Sequence, residues 1–518
     1  MAIPKMLRLA TLSLTVGLAT GASAQTSPEL LALITDPAPE QIAGQIPELR
    51  AEYIALQRKM GMDHPATHRA QARLTVAEAR QSDAPLTLMP RYAQSVDRLI
   101  SAVGPFAETP AYLRFDLSMH YAQRGLGGPA KRLVHQALLA TTKQPSPRAA
   151  ALSRMYAHLA TVLLEEGNYS EARRALELAT KAADRCIETD RQLCVDLTTE
   201  RGAFAVALGD LAAAEGHYLE SLSALEALPA DDPRRRRPLD LLGRLWMRQG
   251  SVERAEALLL EREGLFNAER GRRRSAHPAL ADARRLRGDL TGALEIYDRA
   301  IAELTATHGW GTPMLVEAYS GKALAHVGLK QSTQARHAAF IALAIAELRN
   351  QPALQWQARA AVAQVLSAES QSTGAILFGK LALQRAWKAS ETVRPLGPDA
   401  QHTFLRGKEP LYTSLINDLS AAELWGEAQG LSGTWNAVQE GQALSPPPPL
   451  SPDEQAFQRR YHTHLQQLAQ RCLAADPPGP EARPWRWQHT PAQSLTEART
   501  ALQTFAAQMR QELQTLAQ

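Results

Sequence analysis

Leu163-Leu164-Glu165-Glu166-Gly167-Asn168-Tyr169-Ser170-Glu171-Ala172 reads as two helices meeting at a tight turn. The phrase recurs, with Gly125, Gly209, Gly250 and Gly288 each followed five residues later by Ala130, Ala214, Ala255 and Ala293. Glycine ends a helix because it reaches left-handed dihedrals without a Cβ penalty, and a small alanine lets the next helix lie close to the first. These glycines are 42, 42, 41 and 38 residues apart, and Gly328 stands 40 further on with its small residue displaced to Ala335. Two helices of about 15 residues and two short turns fill such a period, and each pair has an apolar side that only its neighbours cover. The expected fold is all-α, a stacked solenoid of helical hairpins.

Composition agrees. Aromatic residues are only 5% of the 518, and no run of β-branched residues with period two stands out, as befits closely packed helices. Residues 1–24 carry Lys5 and Arg8, a short apolar stretch and the small-residue site Ala22-Ser23-Ala24, which together read as a secretory signal peptide. The apolar stretch is too short for a bilayer span, so export to the periplasm or medium is expected, with no integral membrane span. Removing Lys5 and Arg8 lowers the formal charge from +4 to +2 over 494 residues, too little to draw the chain to nucleic acid or anionic lipid. Two local basic clusters, Arg234 through Arg237 and Arg270 with Arg272, Arg273 and Arg274, fall between repeats and read as solvated turns.

Within the pairs, Tyr121, Leu163, Ala205, Trp246 and Leu324 stand four before their glycines at positions suited to burial. Arg284 breaks that series, so the Gly288 pair is expected to be distorted or rotated to pack Leu280 and Leu286 instead. Second helices show the same logic in Leu176 and Ala179, Tyr218 and Leu222, Leu258 and Leu259, Tyr297 and Ala300, and Phe340 and Leu343, which read as core.

The pattern resembles the tetratricopeptide repeat in its longer-period variants. The resemblance rests on the turn glycine, the alanine five later, the small residues Ser118, Ala160, Gly202, Gly243, Ala281 and Gly321 seven before the glycines, and the terminal alanines Ala137, Ala179 and Ala300. It covers about 110–345 and implies a right-handed superhelix whose first helices line a concave groove that holds peptides or partner domains. A second resemblance runs through Ala375-Ile376-Leu377-Phe378-Gly379-Lys380-Leu381-Ala382-Leu383-Gln384, Phe404-Leu405-Arg406-Gly407-Lys408-Glu409-Pro410-Leu411-Tyr412, Asn417-Asp418-Leu419 and Trp425-Gly426-Glu427-Ala428-Gln429. This is similar to the segment that joins tetratricopeptide repeats to a CHAT domain, a caspase-like cysteine peptidase fold, although Leu431-Ser432-Gly433-Thr434-Trp435 departs from that pattern and the peptidase itself is absent from the chain.

The expected organisation is a signal peptide (1–24), degenerate N-terminal hairpins (25–109), tetratricopeptide-like repeats (110–345), terminal hairpins resembling the bridge to CHAT (346–440), and Pro-rich linkers with amphipathic helices (441–518). In the last part, Pro446 through Pro449 with Pro452 reads as a stiff extended linker. The stripe Leu495, Ala498, Leu502, Phe505, Met509, Leu513 and Leu516 marks a final amphipathic helix, expected to serve self-association or docking of a CHAT-type domain.

No residue set points to catalysis, a cofactor or a metal. His64 and His68 stand four apart without further ligands and read as a polar helix start; His462 and His464, two apart, diverge on a helix. Among the cysteines, Cys186 and Cys194 flank a turn between repeats, where a disulfide and two separate thiols are both open, and Cys472 reads as buried or partner-facing. None has the histidine partner and strand-end setting of a cysteine nucleophile. The expected function is an exported, non-enzymatic binding scaffold for a protein or peptide partner, the alternative being the regulatory arm of a CHAT-type peptidase.

Overall fold

A computed structural model describes residues 39–81, 85–145, 148–183, 190–230, 232–270, 277–472 and 491–517; the expected signal peptide, Cys186 and Arg272, Arg273 and Arg274 lie outside them. The described residues form 22 α-helices and no strand. None of these helices is long and apolar enough to cross a membrane. Three helices, α1 (Pro39–Met60), α2 (Pro65–Gln81) and α3 (Pro85–Val103), cover the N-terminal end.

Seven hairpins follow. They pair α4 (Glu108–Gln123) with α5 (Gly127–Thr142), α6 (Ala149–Glu165) with α7 (Tyr169–Ala183), α8 (Arg191–Leu208) with α9 (Leu211–Ser223), and α10 (Arg236–Arg248) with α11 (Val252–Arg270). The series continues through α12 (Pro278–Leu286) with α13 (Leu290–His308), α14 (Pro313–Gly328) with α15 (Ser332–Arg349), and α16 (Pro352–Ala368) with α17 (Ser372–Val393). Then come the short α18 (Pro398–Arg406) and a last pair, α19 (Glu409–Ala421) with α20 (Trp425–Glu440). Helix starts are set locally: Asp190, Asp210 and Asp289 accept hydrogen bonds from the N–H groups of Leu193, Ala213 and Gly292, satisfying donors that the helix leaves free.

One turn closes every pair from α4 onward. One or two residues after each first helix a residue adopts positive φ, and the next residue donates its N–H back five positions: Leu126 to Tyr121 O (3.0 Å), Asn168 to Leu163 O (2.8 Å), Asp210 to Ala205 O (2.9 Å) and Ser251 to Trp246 O (2.8 Å). Asp289 to Arg284 O (3.0 Å), Gln331 to His326 O (2.9 Å), Gln371 to Leu366 O (2.9 Å) and Leu424 to Leu419 O (2.9 Å) complete the set. This bond satisfies carbonyls at the helix end and fixes the exit direction of the chain. In the first five turns the left-handed residue is the expected glycine. In the last three it is Lys330 (φ 58°), Ser370 (φ 58°) and Glu423 (φ 60°).

The sixth turn therefore corrects the sequence reading: Gly328 lies in the last turn of α14, and Lys330, five before the buried Ala335, does the turning. His326, not Leu324, takes the position four before it. Ser370 and Glu423 are likewise five before Ala375 and Ala428, both buried, so the same geometry runs on past residue 345. In the distorted pair, Leu280 is buried as expected, but Leu286 is exposed and Arg284 lies near Asp289 (3.4 Å) and Glu256 (3.8 Å). The helix α12 is only nine residues long and brings too few turns inward to bury both leucines.

Small residues let paired helices approach. A Cβ added to Gly202 would stand 2.4 Å from the Tyr218 ring, and one on Gly321 2.2 Å from the Tyr297 hydroxyl. Ser118 and Ser153 use the same closeness to donate hydrogen bonds to the facing backbone at Ala130 O (2.7 Å) and Ala179 O (2.8 Å).

The solenoid also touches itself. The Gly125 turn meets Gly311 O and the Arg349 side chain, Gly167 meets Pro352, and Gly209 meets Thr403 O and Gly407. Thr392 Oγ1 donates to Gly167 O (2.6 Å), Gln351 Nε2 to Glu165 Oε2 (3.2 Å), and Tyr169 packs edge-on against Phe404 at 5.4 Å. After roughly four and a half repeats the chain has thus wound back on its first hairpins, turns on inter-repeat loops.

The C-terminal helices α21 (Pro452–Cys472) and α22 (Pro491–Ala517) correct the expectation of a free apolar stripe. Ala498, Leu502, Phe505, Met509 and Leu513 are buried against α15, α17 and α21. Phe378 lies 6.0 Å from Phe457 and 6.3 Å from Tyr461, which in turn lies 6.3 Å from Phe505, one aromatic cluster across three helices. Buried Lys380 binds Glu427 (2.8 Å) and Glu454 (3.1 Å), joining α17, α20 and α21. The proline segment before α21 is non-helical as read, yet it is no free spacer: Gln384 Nε2 donates to Pro448 O (3.2 Å) and Leu450 packs on the same core. Cys472, also buried there, directs its thiol at Ala498 O (3.8 Å).

Left-handed φ costs a residue with a Cβ about 1 kcal/mol. Lys330→Gly, Ser370→Gly and Glu423→Gly are therefore each expected to stabilise the fold by about 0.5–1 kcal/mol, and to add when combined because the turns are far apart. Gly250→Ala, where nothing lies within 4 Å of a new Cβ, should cost about 1 kcal/mol from φ alone, and Gly209→Ala should cost more because the new Cβ would stand 2.6 Å from Thr403 O. Chemical denaturation of the purified variants measures each.

Candidate functional site: the inner face of the first helices

The first helices α4, α6, α8, α10, α12, α14 and α16 lie side by side, each touching the next. Residues spaced three and four apart on a helix share a face. On α6 these are Arg154, His158, Thr161 and Glu165; on α10 they are Arg237, Asp240, Arg244 and Arg248. A chain of polar contacts runs between them. Arg154 reaches Asp190 (3.0 Å) and Asp196 (3.4 Å), Thr161 donates to Glu200 (2.6 Å), and Arg237 also pairs with Glu200, linking α6, α8 and α10.

Arg244 binds Asp240 (2.9 Å) on its own helix and Glu317 on α14, passing over the short α12. Alternate members of a curved row of helices approach one another only on the concave side. The Arg244–Glu317 pair thus marks the inner face and shows that its bore is narrow. Arg237 and Asp196 nonetheless keep 55% and 33% of their side-chain surface exposed, so solvent reaches this face.

Electrostatics follow from crowding within that bore. His158 is pushed down to about 4 by burial and then by Arg237; neutral, it shares a hydrogen bond with Ser118 Oγ (2.9 Å). His277 is held at about 3, chiefly by burial, and its Nδ1 accepts from Ala279 N (3.4 Å) to cap α12 while facing Asp240 at 3.1 Å. Glu165 is raised to about 8 by burial first and by Glu200 second, against the hydrogen bond from Gln351. Lys408, which stands just before α19, is lowered to about 7 by burial and then by Arg248.

The residues singled out in the sequence separate accordingly. The cluster at 234–237, read as a solvated turn, is only partly that: Arg234 forks onto Asp232 (2.8 and 2.7 Å) and Arg235 pairs with Glu261 (3.1 Å), but Arg237 turns inward to Glu200. His64 Nδ1 accepts from Ala66 N (3.2 Å) at the start of α2, a capping role. His462 faces Gln458 O (2.7 Å) whereas His464 faces Glu512 (3.0 Å), so the two diverge. Among the described residues no three His, Cys, Asp or Glu side chains gather as a metal site. Cys194 is a free, half-buried thiol. On the second-helix side a separate open depression of about 540 Å³ between α7, α8 and α9 is lined by Arg173, Leu176, Thr180, Arg201, Phe204 and His217. The inner-face polar chain and Lys408 were not found from the sequence, although the spacing of Arg237, Asp240, Arg244 and Arg248 was there to be read.

An acid whose folded value is raised costs nothing below its unfolded value of 4.5 and progressively destabilises the fold as pH rises toward 8. Glu165→Gln keeps the geometry without the charge. It is expected to leave stability unchanged at pH 4 and to raise it by on the order of 1–3 kcal/mol at pH 9, as measured by urea denaturation at the two pH values.

No family model and no curated protein matches the chain. Solved structures do. A Rap protein complexed with Competence and Sporulation Factor aligns over 71% of this chain and 99% of its own, at a TM-score of 0.51 and 13% identity. A STAND protein with a tetratricopeptide repeat sensor from Pyrococcus horikoshii aligns over 64% and 50% (TM-score 0.37, 17% identity), and the complex of the TPR2AB domain of yeast Sti1 with pHSP90 over 57% and 98% (TM-score 0.21, 16% identity). Together with the repeated turn and the row of first helices, the likeness to the Rap protein makes the fold a tetratricopeptide-like helical solenoid.

Proposed function

We propose that the chain is a non-enzymatic binding scaffold that works outside the cytoplasm and takes an extended peptide segment along the inner face of its first helices. The observation that carries this reading is the Arg244–Glu317 pair across α12. A bore that lets α10 and α14 share an ion pair is too narrow for a folded domain, yet its exposed charges are unlike a core, where unsolvated charge is costly. A slender polar occupant suits such a surface. The stacked turns at Gly125, Gly167 and Gly209 hold the face in shape before anything binds, which lowers the ordering cost of association. The Rap protein of like fold is itself in complex with a factor, in keeping with this use of the fold.

Export rests on the character of residues 1–24, and cell fractionation of the tagged full-length protein tests it. The arm of a CHAT-type peptidase is the finer alternative, resting on the resemblance between residues 375 and 429; a caspase-like chain recovered with the scaffold from its native compartment selects it. Groove binding itself is tested with the immobilised full chain and a pool of acetylated, amidated pentapeptides of randomised uncharged residues, retention being read by mass spectrometry. Arg237→Gln and Arg244→Gln are expected to reduce retention at least tenfold with the helical circular dichroism unchanged. Retention that ignores both substitutions overturns the reading.

A further inference from the structure

The eight turns put the first helices in a common register, and one position in it breaks the pattern. Eight residues before the left-handed residue, six of the hairpins hold a buried aliphatic side chain: Leu117, Leu159, Leu242, Leu280, Val362 and Leu415. The other two hold cations. Lys322 is matched by Asp298 (2.5 Å) on the preceding helix α13. Arg201, on α8, is half-buried and has no carboxylate within ion-pair distance among the described residues; its Nη2 donates instead to Thr180 Oγ1 on α7 (2.8 Å).

This arginine lines the depression of about 540 Å³ between α7, α8 and α9. The first helices α6 and α8 pack side by side, whereas the second helices α7 and α9 stand apart, and the face of α8 between them carries Arg201, Phe204 and Leu208 at spacings of three and four. Phe204 and Leu208 are only half-buried and, with Leu176 of α7, give the hollow an apolar floor. The acids around it are engaged elsewhere. Glu177 pairs with Arg173 (3.1 Å) on its own helix, Asp210 Oδ1 caps α9 through Ala213 N (3.0 Å), and Glu220 lies 3.6 Å from His217. Lys181, exposed on the rim next to Thr180, is a second cation with no carboxylate at ion-pair distance among the described residues.

A leucine at 201 would gain from burial as its counterparts do, whereas an arginine forgoes that gain and must keep its guanidinium solvated. Folding alone does not account for the exchange. A guanidinium held by one hydroxyl, with donors to spare, beside an apolar floor suits a carboxylate carried on an apolar body, and the volume lies within the range of small-ligand pockets. We infer that the hollow between α7, α8 and α9 binds a small amphiphilic acid, with its carboxylate on Arg201, Lys181 at the rim, and its ring or short chain on Phe204, Leu176 and Leu208. The site lies on the second-helix side, so it does not depend on the reading of the inner face.

The full-length protein is titrated at neutral pH with hexanoate, octanoate, phenylbutyrate and naphthylacetate, each beside its own uncharged primary amide, with binding read by saturation-transfer difference NMR. At least one acid is expected to bind tenfold or more tightly than its amide. Arg201→Leu, which restores the residue type of the neighbouring pairs, should make acid and amide equal, and Arg201→Lys should keep a preference of several-fold. Circular dichroism and thermal melting establish that each variant is folded; should the leucine disturb packing, Arg201→Gln makes the same comparison without the charge. Acids bound no better than their amides overturn the site, and so does an acid preference that survives loss of the charge at 201 in a folded protein. Neither outcome bears on peptide retention by the inner face, which Arg237→Gln and Arg244→Gln test separately.

Discussion

A single left-handed residue at the end of each first helix is the constraint on which the architecture depends. It stops the helix, lets the next residue bond five positions back, and sends the chain into a second helix whose buried alanine, five residues on, admits close contact. Because the turn is the same eight times, each pair presents the same apolar flank to the next, and helices too short to be stable alone are held by their neighbours. Glycine is the cheap way to make this turn. Lys330, Ser370 and Glu423 show that neighbouring packing imposes it at modest cost.

Curvature converts that repetition into a site. With first helices inside, polar residues at spacings of three and four line a narrow bore, and Arg154, Arg237 and Arg244 find carboxylates on the next helix or the next but one. Winding back on itself, the solenoid lays its early turns on later loops, so Gly125, Gly167 and Gly209 meet two demands at once, a positive φ and room for a second coil. Gly250 and Gly288 meet only the first. The C-terminal helices then seal α15 and α17 rather than offering a free face.

Much of this was legible because local physics decided it. The turn glycines, their alanines and the small residues at 118, 160, 202 and 243 announce helix ends and close approach in one dimension. The sixth turn was misplaced by two residues because Gly328 lies within α14 while a lysine does the turning, a choice that packing makes and propensity does not. Contacts between residues such as Glu165 and Gln351 have no local signature at all. Neither has Lys408: in the sequence it is one lysine in a helix-start phrase, and only packing between distant helices brings the Trp356 ring over it. The final helix was read with the right stripe and the wrong destination, since an amphipathic pattern states that a face is covered and not by what.

The shortness of α12 has a geometrical corollary. At nine residues it belongs to the tightest interval between turns, 38 residues, and it is the helix over which α10 and α14 join hands. Calibre in such a tube is therefore governed by helix length, independently of which side chains line it. Insertion of one helical turn at this place would relax the curl locally and widen the channel, so that a lineage of these proteins has, in the gain or loss of about four residues, a means of changing the girth of what it accommodates without rewriting its lining.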